Sequence, residues 1–141
     1  MSNWRYLGGR NTMDEVPDGA VGFVYKIEIG DWSYYGLKRF HTKRKVPKGK
    51  KELASQDGRA SKKKLVIKES NWKNYCSSSD KVKELVSKGH VPDRIVLRVC
   101  DSLKELSFYE SLHIFNNIQD EHNLNDNVQG KYFKEEIMKW I

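Results

Sequence analysis

The sequence predicts a small α+β fold in which a three-stranded antiparallel or mixed sheet is flanked by helices. Two short strand patterns lie on either side of Gly30-Asp31, a pair typical of a tight hairpin turn. A third segment, residues 94–100, alternates apolar and polar side chains as a half-buried strand does. Two later segments begin with capping residues and carry apolar side chains at helical spacing.

The hairpin is expected over residues 20–37. Apolar and polar residues alternate along its first strand, which indicates that one face is buried. Tyr25, Tyr34 and Tyr35 are expected to converge beside Gly36, because a glycine lets the backbone come close to a bulky anionic ligand. The alternative is an ordinary hairpin with aromatic cross-strand pairs.

The chain of 141 residues is long enough for one hydrophobic core. We expect a single domain over residues 19–141, preceded by a loosely ordered arm over residues 1–18 and containing a long basic loop over residues 38–68. No apolar run approaches membrane-spanning length, and Cys76 and Cys100 lack a CxxC spacing. A protein of the reducing cytoplasm, without membrane contact, disulfide or zinc site, is therefore expected.

The first predicted helix follows serines 77–79, one of which caps it, and ends at Gly89. The side chains expected to face inward are Val82, Leu85 and Val86. A terminal amphipathic helix is expected from about Tyr132 to Trp140.

The second predicted helix runs from Ser102, which forms a capping box with Glu105, to about residue 118. Two apolar stripes suggest that it is covered on two faces: Leu103, Leu106, Ile114 and Ile118 form one, and Phe108, Leu112 and Phe115 form the other. Glu110 projects into the first stripe, where an unpaired carboxylate is costly. Because Mg²⁺ is usually held by one carboxylate, waters and a substrate phosphate, Glu110 is the candidate metal ligand. The alternative is a partly exposed acid paired with an arginine of the preceding strand.

The net charge of +7 conceals a strong asymmetry. Residues 38–68 contain 13 Lys or Arg and only two acids, so that this segment alone carries +11. A concentrated basic block directly after the tyrosine hairpin favours a nucleic-acid partner over a solvated lysine-rich loop.

The motifs GFVY at 22–25 and YYG at 34–36 resemble the catalytic hairpin of the GIY-YIG nuclease family. The similarity extends to a basic stretch, a WxxYxxSS segment at 72–79 and a closing N-x-N-x-x-G-x-Y-F at 125–133, the layout of short phage-type members. Cys76 stands where that branch tends to carry Gly or Tyr. The resemblance covers residues 20 to about 135 and implies a GIY-YIG-like fold.

The resemblance also implies a DNA endonuclease that depends on Mg²⁺ or Mn²⁺. The family's catalytic positions correspond here to Tyr25, Tyr34, Arg44, Glu110 and Asn125. Tyr25 is the implied general base; since a free phenol titrates near ~10, it needs a neighbouring cation, Lys38 or Arg44, or must pass its proton on. Arg44, ten residues after Tyr34, would clamp the phosphate, and Asn127 is nearly as good a choice as Asn125 for the site asparagine.

Tyr34 would hydrogen-bond the phosphate or the attacking water, and Glu110 would hold one Mg²⁺ that stabilises the leaving 3′ oxygen. His41 could assist the base, although a solvated loop histidine is the simpler interpretation. His113 follows Glu110 at i+3 and could share its ion, but Mg²⁺ prefers oxygen ligands.

Nucleic-acid contacts are predicted from the basic segment and the aromatic residues after it: Lys38, Arg39, His41, Lys43, Lys45, Lys62, Lys63, Lys64 and Trp72. The lysines would contact phosphates without reading sequence. Trp72 and Tyr75 could stack on a base, or they could seal the core.

DNA is the expected partner, and the chain could act as a monomer or a homodimer. Two other classes of function stay open: a non-catalytic nucleic-acid-binding protein on the same fold, and a small protein that blocks or recruits another factor. Cleavage of a plasmid with Mg²⁺ separates the first class from these two.

Overall fold

The computed structural model describes residues 2–56, 58 and 60–140, and it confirms the α+β class with a mixed sheet and flanking helices. Met1 and Ile141, the outer ends of the predicted arm and domain, lie outside the described residues. The strands are β1 (Trp4–Tyr6), β2 (Gly22–Ile29), β3 (Trp32–Arg39), β4 (His41–Pro47), β5 (Lys63–Glu69), β6 (Asp93–Cys100), β7 (Asn127–Val128) and β8 (Tyr132–Phe133). The helices are α1 (Lys50–Ser55), α2 (Asp80–Ser87), α3 (Leu103–Asn117) and α4 (Lys134–Lys139). No helix among the described residues has the length and apolar character needed to cross a bilayer.

The chain divides into two compact units. The first comprises residues 1–40 and 71–141, and the second comprises residues 41–70. The first unit contains a four-stranded sheet in the order β1-β6-β2-β3, with β1 parallel to β6 and the other neighbours antiparallel.

The β2–β3 hairpin forms where the alternation predicted it. Gly30 has a φ of +60°, and Asp31 is outside the positive-φ region, the pattern of a type II′ turn with glycine first. The strands then pair in one register from Ile29↔Trp32 to Gly22↔Arg39. Opposite β2, the register of β6 shifts between Val24 and Tyr25, which places a bulge in the sheet beside Tyr25.

The predicted N-terminal arm is instead part of the sheet and its core. β1 pairs with residues 94–96 of β6, and Trp4 is fully buried against Phe23 and Tyr25. The Trp4 indole N–H donates to the Trp72 carbonyl oxygen over 2.7 Å. The sheet therefore has a fourth strand, and Trp4 anchors it through partners that are far away in sequence.

The prediction that residues 38–68 form a long loop is also wrong, because this segment contains two strands and a helix. β3 continues to Arg39, and β4 and β5 pair antiparallel from His41↔Glu69 to Pro47↔Lys63, with α1 between them. Backbone hydrogen bonds do not depend on side-chain polarity, so charged residues can form a ribbon that the apolar pattern does not reveal.

The predicted N-terminal caps of α2 and α3 are confirmed, whereas the prediction of which side chains of these helices are buried is only partly correct. Ser79 caps α2 by accepting from Val82 N–H, and Ser102 caps α3 by accepting from Glu105 N–H. Val82 and Leu106 are buried. The predicted second stripe of α3 is exposed rather than covered, since Phe108, Leu112 and Phe115 have exposures of 59%, 39% and 45%.

One hairpin glycine and the end of the chain show two further local constraints. A Cβ at Gly22 would lie 2.5 Å from the Lys38 carbonyl oxygen, so only glycine fits there. The predicted terminal helix begins two residues later, at Lys134, because Tyr132 and Phe133 form β8 opposite β7.

Trp4→Ala tests whether β1 belongs to the core. Removing this fully buried indole should lower the free energy of unfolding by about 3–5 kcal/mol, measured by urea denaturation. Leu7→Ala is the matched control, since Leu7 is 65% exposed and follows the same strand; it should change stability by less than about 0.5 kcal/mol. Equal effects of the two substitutions would contradict the burial of β1 and favour the loose arm predicted over residues 1–18.

Candidate active site at the edge of β3

A cavity of about 590 Å³ opens at the outer edge of β3 in the first unit. Its walls come from β3, the start of α2, α3 and the segment 124–129 around β7. The lining residues are Tyr34, Tyr35, Ser78, Ser79, Asp80, Lys81, Glu110, Ile114, Leu124, Asn125, Asp126, Asn127 and Gln129. Three of the predicted catalytic residues, Tyr34, Glu110 and Asn125, thus line one cavity.

Tyr25, a fourth predicted catalytic residue, is fully buried and does not line this cavity. Its phenol packs over Gly36, its cross-strand partner, which has no side chain. A Cβ on Gly36 would lie 2.5 Å from the ring carbon that carries the Tyr25 hydroxyl, well inside van der Waals contact. Gly36 is therefore required by the Tyr25 phenol, which occupies the space that a side chain would fill, and the predicted approach of a ligand to this glycine stays a prediction.

Tyr25 and Tyr34 share a polar neighbour in Ser77. The rings of the two tyrosines are 6.3 Å apart, and both hydroxyls interact with the Ser77 side chain, which is itself buried. Ser77 also accepts a hydrogen bond from Ser79 N–H over 2.9 Å, which ties it to the cap of α2. The serine therefore joins the two phenols to the start of that helix.

Burial raises the pKa of Tyr25 far above its usual value, and the neighbouring Tyr75 and Tyr34 add to the shift. The expectation that a nearby cation activates Tyr25 is not met by Lys38, whose ammonium lies over the Tyr75 ring at 4.1 Å from its centroid. Desolvation lowers the pKa of Lys38. Tyr75 in turn packs edge-on against Tyr25, with ring centroids 6.2 Å apart.

Glu110 is a half-buried carboxylate on the α3 side of the cavity. Burial raises its pKa, and the Leu37 backbone N–H offsets part of the shift. The negative charge of Glu110 in turn contributes to the raised pKa of Tyr34, after burial, which brings the carboxylate and that phenol into one electrostatic environment.

The predicted arginine partners of Glu110 are engaged elsewhere. Arg98 donates to Glu105 over 3.2 Å, and Arg94 donates to the carbonyl oxygens of Asn74 and Tyr75. Among the residues that the structure describes, no cation forms an ion pair with Glu110. Its charge therefore has no protein counter-ion within the described part of the chain.

Asn125 holds the free edge of β3. Its Oδ1 accepts from Tyr35 N–H over 2.9 Å, and its Nδ2 donates to the Tyr35 carbonyl oxygen over 2.8 Å. The side chain is buried, with an exposure of 4%. Asn127 instead accepts from Gly130 N–H within the β7–β8 turn, so only Asn125 contacts the strand that carries Tyr34.

A divalent cation fits this site only as a partner of substrate. Glu110 supplies one carboxylate, and among residues 2–56, 58 and 60–140 no three His, Cys, Asp or Glu side chains lie together in a way that could hold a metal ion. Mg²⁺ retains several waters and is often held by one or two carboxylates plus substrate phosphate oxygens. The donor set at Glu110 agrees with that mode and not with a closed protein cage.

Other predicted residues lie outside the cavity. Arg44, His41, Lys43, Lys45 and Lys62–Lys64 belong to the second unit, where all are exposed, and Lys38 and Arg39 end β3 in the first. Trp72 is fully buried against Phe40, so its predicted contact with a base is wrong and the core-sealing alternative holds.

Two predictions are wrong for residues on the face of the sheet opposite Tyr25: that Tyr35 joins Tyr25, and that His113 could share an ion with Glu110. Tyr35 does not join Tyr25, because neighbouring residues of a strand point to opposite faces; its ring stacks on His113 at 5.9 Å. His113 is occupied by this stack and is outside the lining of the cavity, so it does not share the Glu110 position.

Sequence reasoning missed Ser77 and Gln129. Ser77 lies in the WxxYxxSS segment, which was a signal of a site although no role followed from it. Gln129 has a φ of +54°, uncommon for a residue with a side chain, and its Nε2 donates to Ser111, the neighbour of Glu110 on α3. The contacts of Ser77 with the tyrosines and of Gln129 with Ser111 join segments that are distant in sequence, so no helix or strand periodicity predicts them.

Comparison with known proteins agrees with this geometry. A family model described as "Putative endonuclease segE, GIY-YIG domain" matches residues 4–137. "Intron-associated endonuclease 2" of Enterobacteria phage T4 is 30% identical over 115 residues, which are 81% of this chain and 36% of that protein. The chain thus spans about a third of the length of this curated relative. No solved structure matches with significance. The match over residues 4–137 places the chain in the GIY-YIG endonuclease family.

Proposed function

We propose that this protein is a divalent-metal-dependent endonuclease that hydrolyses phosphodiester bonds in DNA, and that it derives from a phage. The observation that supports this most is the meeting of Tyr34 and Glu110 in one cavity, with Tyr25 joined to Tyr34 through Ser77. Residues 1–40 and 71–141 would supply the metal ligand and the tyrosines, and residues 41–70, which include Arg44, would contact substrate phosphates.

Glu110 is the residue that would hold Mg²⁺ or Mn²⁺. A bound divalent ion would neutralise charge on the scissile phosphate and on the leaving 3′ oxygen. The lack of a protein counter-ion for Glu110 among the described residues supports this role, because a half-buried carboxylate gains most from a cation that arrives with substrate.

Tyr25 would act as a proton relay that starts from the neutral phenol, and not as a preformed phenolate base. Its raised pKa keeps the hydroxyl protonated at neutral pH. When water attacks phosphorus, the proton that it loses would pass to the Tyr25 oxygen while the phenolic proton moves to the Tyr75 hydroxyl, which in turn releases its own proton to solvent. The bond from phosphorus to the 3′ oxygen breaks in the same reaction, and the leaving oxygen takes up a proton from solvent water. The sequence left two possibilities open for Tyr25, activation by a neighbouring cation or transfer of its proton to another group. Its contacts favour the transfer.

Tyr34 and Asn125 would orient the reacting groups. The Tyr34 hydroxyl, in the cavity with Glu110, would hydrogen-bond a phosphate oxygen or the attacking water. Asn125 would act through the backbone, since its amide is already bound to Tyr35. Arg44 is exposed on β4, and its guanidinium would fork onto two phosphate oxygens, which a lysine cannot do.

Plasmid cleavage with purified protein and Mg²⁺ tests this function. Wild-type protein should nick supercoiled DNA, whereas Tyr25→Phe and Glu110→Gln should each reduce the rate about 10²–10⁴-fold, because each removes a group required in the transition state. A monomer with one site would give nicked circles, and a homodimer would also give linear product.

Glu105→Gln is the matched control for this assay, since Glu105 lies on the same helix, pairs with Arg98 and is outside the cavity. It should leave the rate within about threefold of wild type. Equal cleavage by wild type and Glu110→Gln would refute the proposal, and DNA binding without any cleavage would favour a non-catalytic binding protein on the same fold.

The raised pKa of Glu110 leads to a second expectation, about stability. A carboxyl whose pKa is higher in the folded than in the unfolded protein favours folding while protonated, so the ionised group costs stability as pH rises above the ordinary value of 4.5. Glu110→Gln should therefore raise Tm at pH 7.5 by on the order of 2–4 °C. The difference should vanish below the ordinary pKa.

Calcium ions provide the metal-binding arm of this experiment. With a short DNA duplex present, Ca²⁺ should raise the Tm of wild type at pH 7.5 and not that of Glu110→Gln, and EDTA should reverse the effect, because the cation needs both the ionised carboxylate and a substrate phosphate. The Ca²⁺ effect should weaken as the pH falls and Glu110 takes up a proton. An identical Ca²⁺ response in both proteins would place the metal elsewhere.

A further inference from the structure

The second unit is a two-stranded ribbon whose cross-strand pairs define two faces. Partners in register share a face, so Lys43 lies beside Ile67, Lys45 beside Leu65, and Pro47 beside Lys63. By the same register, His41 and Glu69 share this face at one end of the ribbon. We call this set the open face: His41, Lys43, Lys45, Pro47, Lys63, Leu65, Ile67 and Glu69. Leu65 and Ile67 have exposures of 57% and 60%, so two large apolar side chains lie between three lysines in solvent.

The other face of the ribbon is the one that α1 approaches. Lys64, the partner of Val46, forms an ion pair with Glu52 of α1, and Val46 is half-buried while the open-face residues are exposed. The contact of α1 with Lys64 leaves the open face uncovered within this unit.

This unit is too polar to be a folding core of its own. Residues 41–70 contain 11 Lys or Arg and three acids. None of the described residues of this unit is buried, although Val46, Lys48, Gln56 and Ser70 are half-buried. Isolated two-stranded ribbons are marginally stable in water, so a surface of this kind gains stability from a partner. A net charge of +8 in 30 residues selects a polyanion.

We propose that the open face of the ribbon enters the major groove of B-form duplex DNA. This inference rests on the proposed nuclease function and deepens it by naming the form of the substrate. The major groove of B-DNA is about 12 Å wide and admits a two-stranded β-ribbon. Leu65 and Ile67 would contact thymine methyl groups on the groove floor, and the three lysines would contact phosphates at its walls.

Two other forms of nucleic acid fit this surface less well. The major groove of A-form RNA is too deep and narrow for side chains to read. Single strands are generally bound by aromatic side chains that stack on bases, and residues 41–70 contain no Phe, Tyr or Trp. The seven paired positions of the ribbon extend over about 20 Å, or roughly six base pairs of duplex.

Fluorescence anisotropy in Ca²⁺ with a labelled duplex tests this inference. The variant Lys43→Ala/Lys45→Ala/Lys63→Ala should bind 20-base-pair DNA at least roughly tenfold more weakly than wild type, and its salt slope should fall by about 2.7. The matched control removes three exposed lysines of the first unit, Lys104, Lys131 and Lys139, all to Ala. This control should keep the wild-type salt slope within about 1.

The apolar part of the open face needs its own variant. Leu65→Ser/Ile67→Ser keeps the charge, so its salt slope should stay at the wild-type value while its affinity for duplex DNA falls about three- to tenfold. Wild type should prefer the duplex over double-stranded RNA and over single-stranded DNA of the same sequence. Distamycin, which fills the minor groove, should not displace it.

The outcomes separate this inference from the nuclease function. If wild type neither binds nor cleaves any DNA, the proposed function fails. If wild type binds and cleaves duplex DNA but the open-face triple variant behaves like its lysine control, the inference fails and the function stands. Preference for RNA or single strands, or displacement by distamycin, would overturn the groove assignment alone.

Discussion

The outer edge of β3 is the part of this molecule on which the candidate site depends. An edge strand leaves every second backbone N–H and C=O without a strand partner. Here Ser33 donates to the His122 carbonyl oxygen and accepts from Leu124 N–H, and Tyr35 exchanges two hydrogen bonds with the Asn125 side chain. The segment before β7 therefore takes the place of a fifth strand. At Tyr35 the hydrogen bonds come from the Asn125 side chain, whereas a neighbouring strand would supply backbone groups.

This closure explains how residues from opposite faces of the sheet can meet. Tyr34 points to the face that buries Tyr25, whereas α3 packs on the other face, against Val24 and Leu37. Glu110 reaches the cavity beside the edge, where it approaches the Leu37 N–H. An inner strand would separate the phenols from the carboxylate, and a bare edge would expose both to bulk water, which screens their mutual influence.

Local features of the sequence predicted the hairpin and both helix caps, because turn chemistry, strand period and capping motifs are encoded within a few residues. Of the candidate site residues, Tyr34 and Glu110 line one cavity, and their roles stay predictions. β1 was missed because its parallel partner is about 90 residues away and its burial depends on Trp72. The ribbon was missed because charged strands lack an apolar alternation. Ser77 and the Lys38–Tyr75 contact arise only when distant segments pack together.

Amide hydrogen exchange at Tyr35, followed by NMR, tests most directly whether Asn125 closes this edge. The Tyr35 N–H should exchange slowly in the wild-type protein, and Asn125→Ala should bring it close to the rate of an exposed amide, while Asn127→Ala leaves it protected. Fast exchange of Tyr35 in the wild type, or equal protection in Asn125→Ala, would contradict the closed edge on which the site assignment depends.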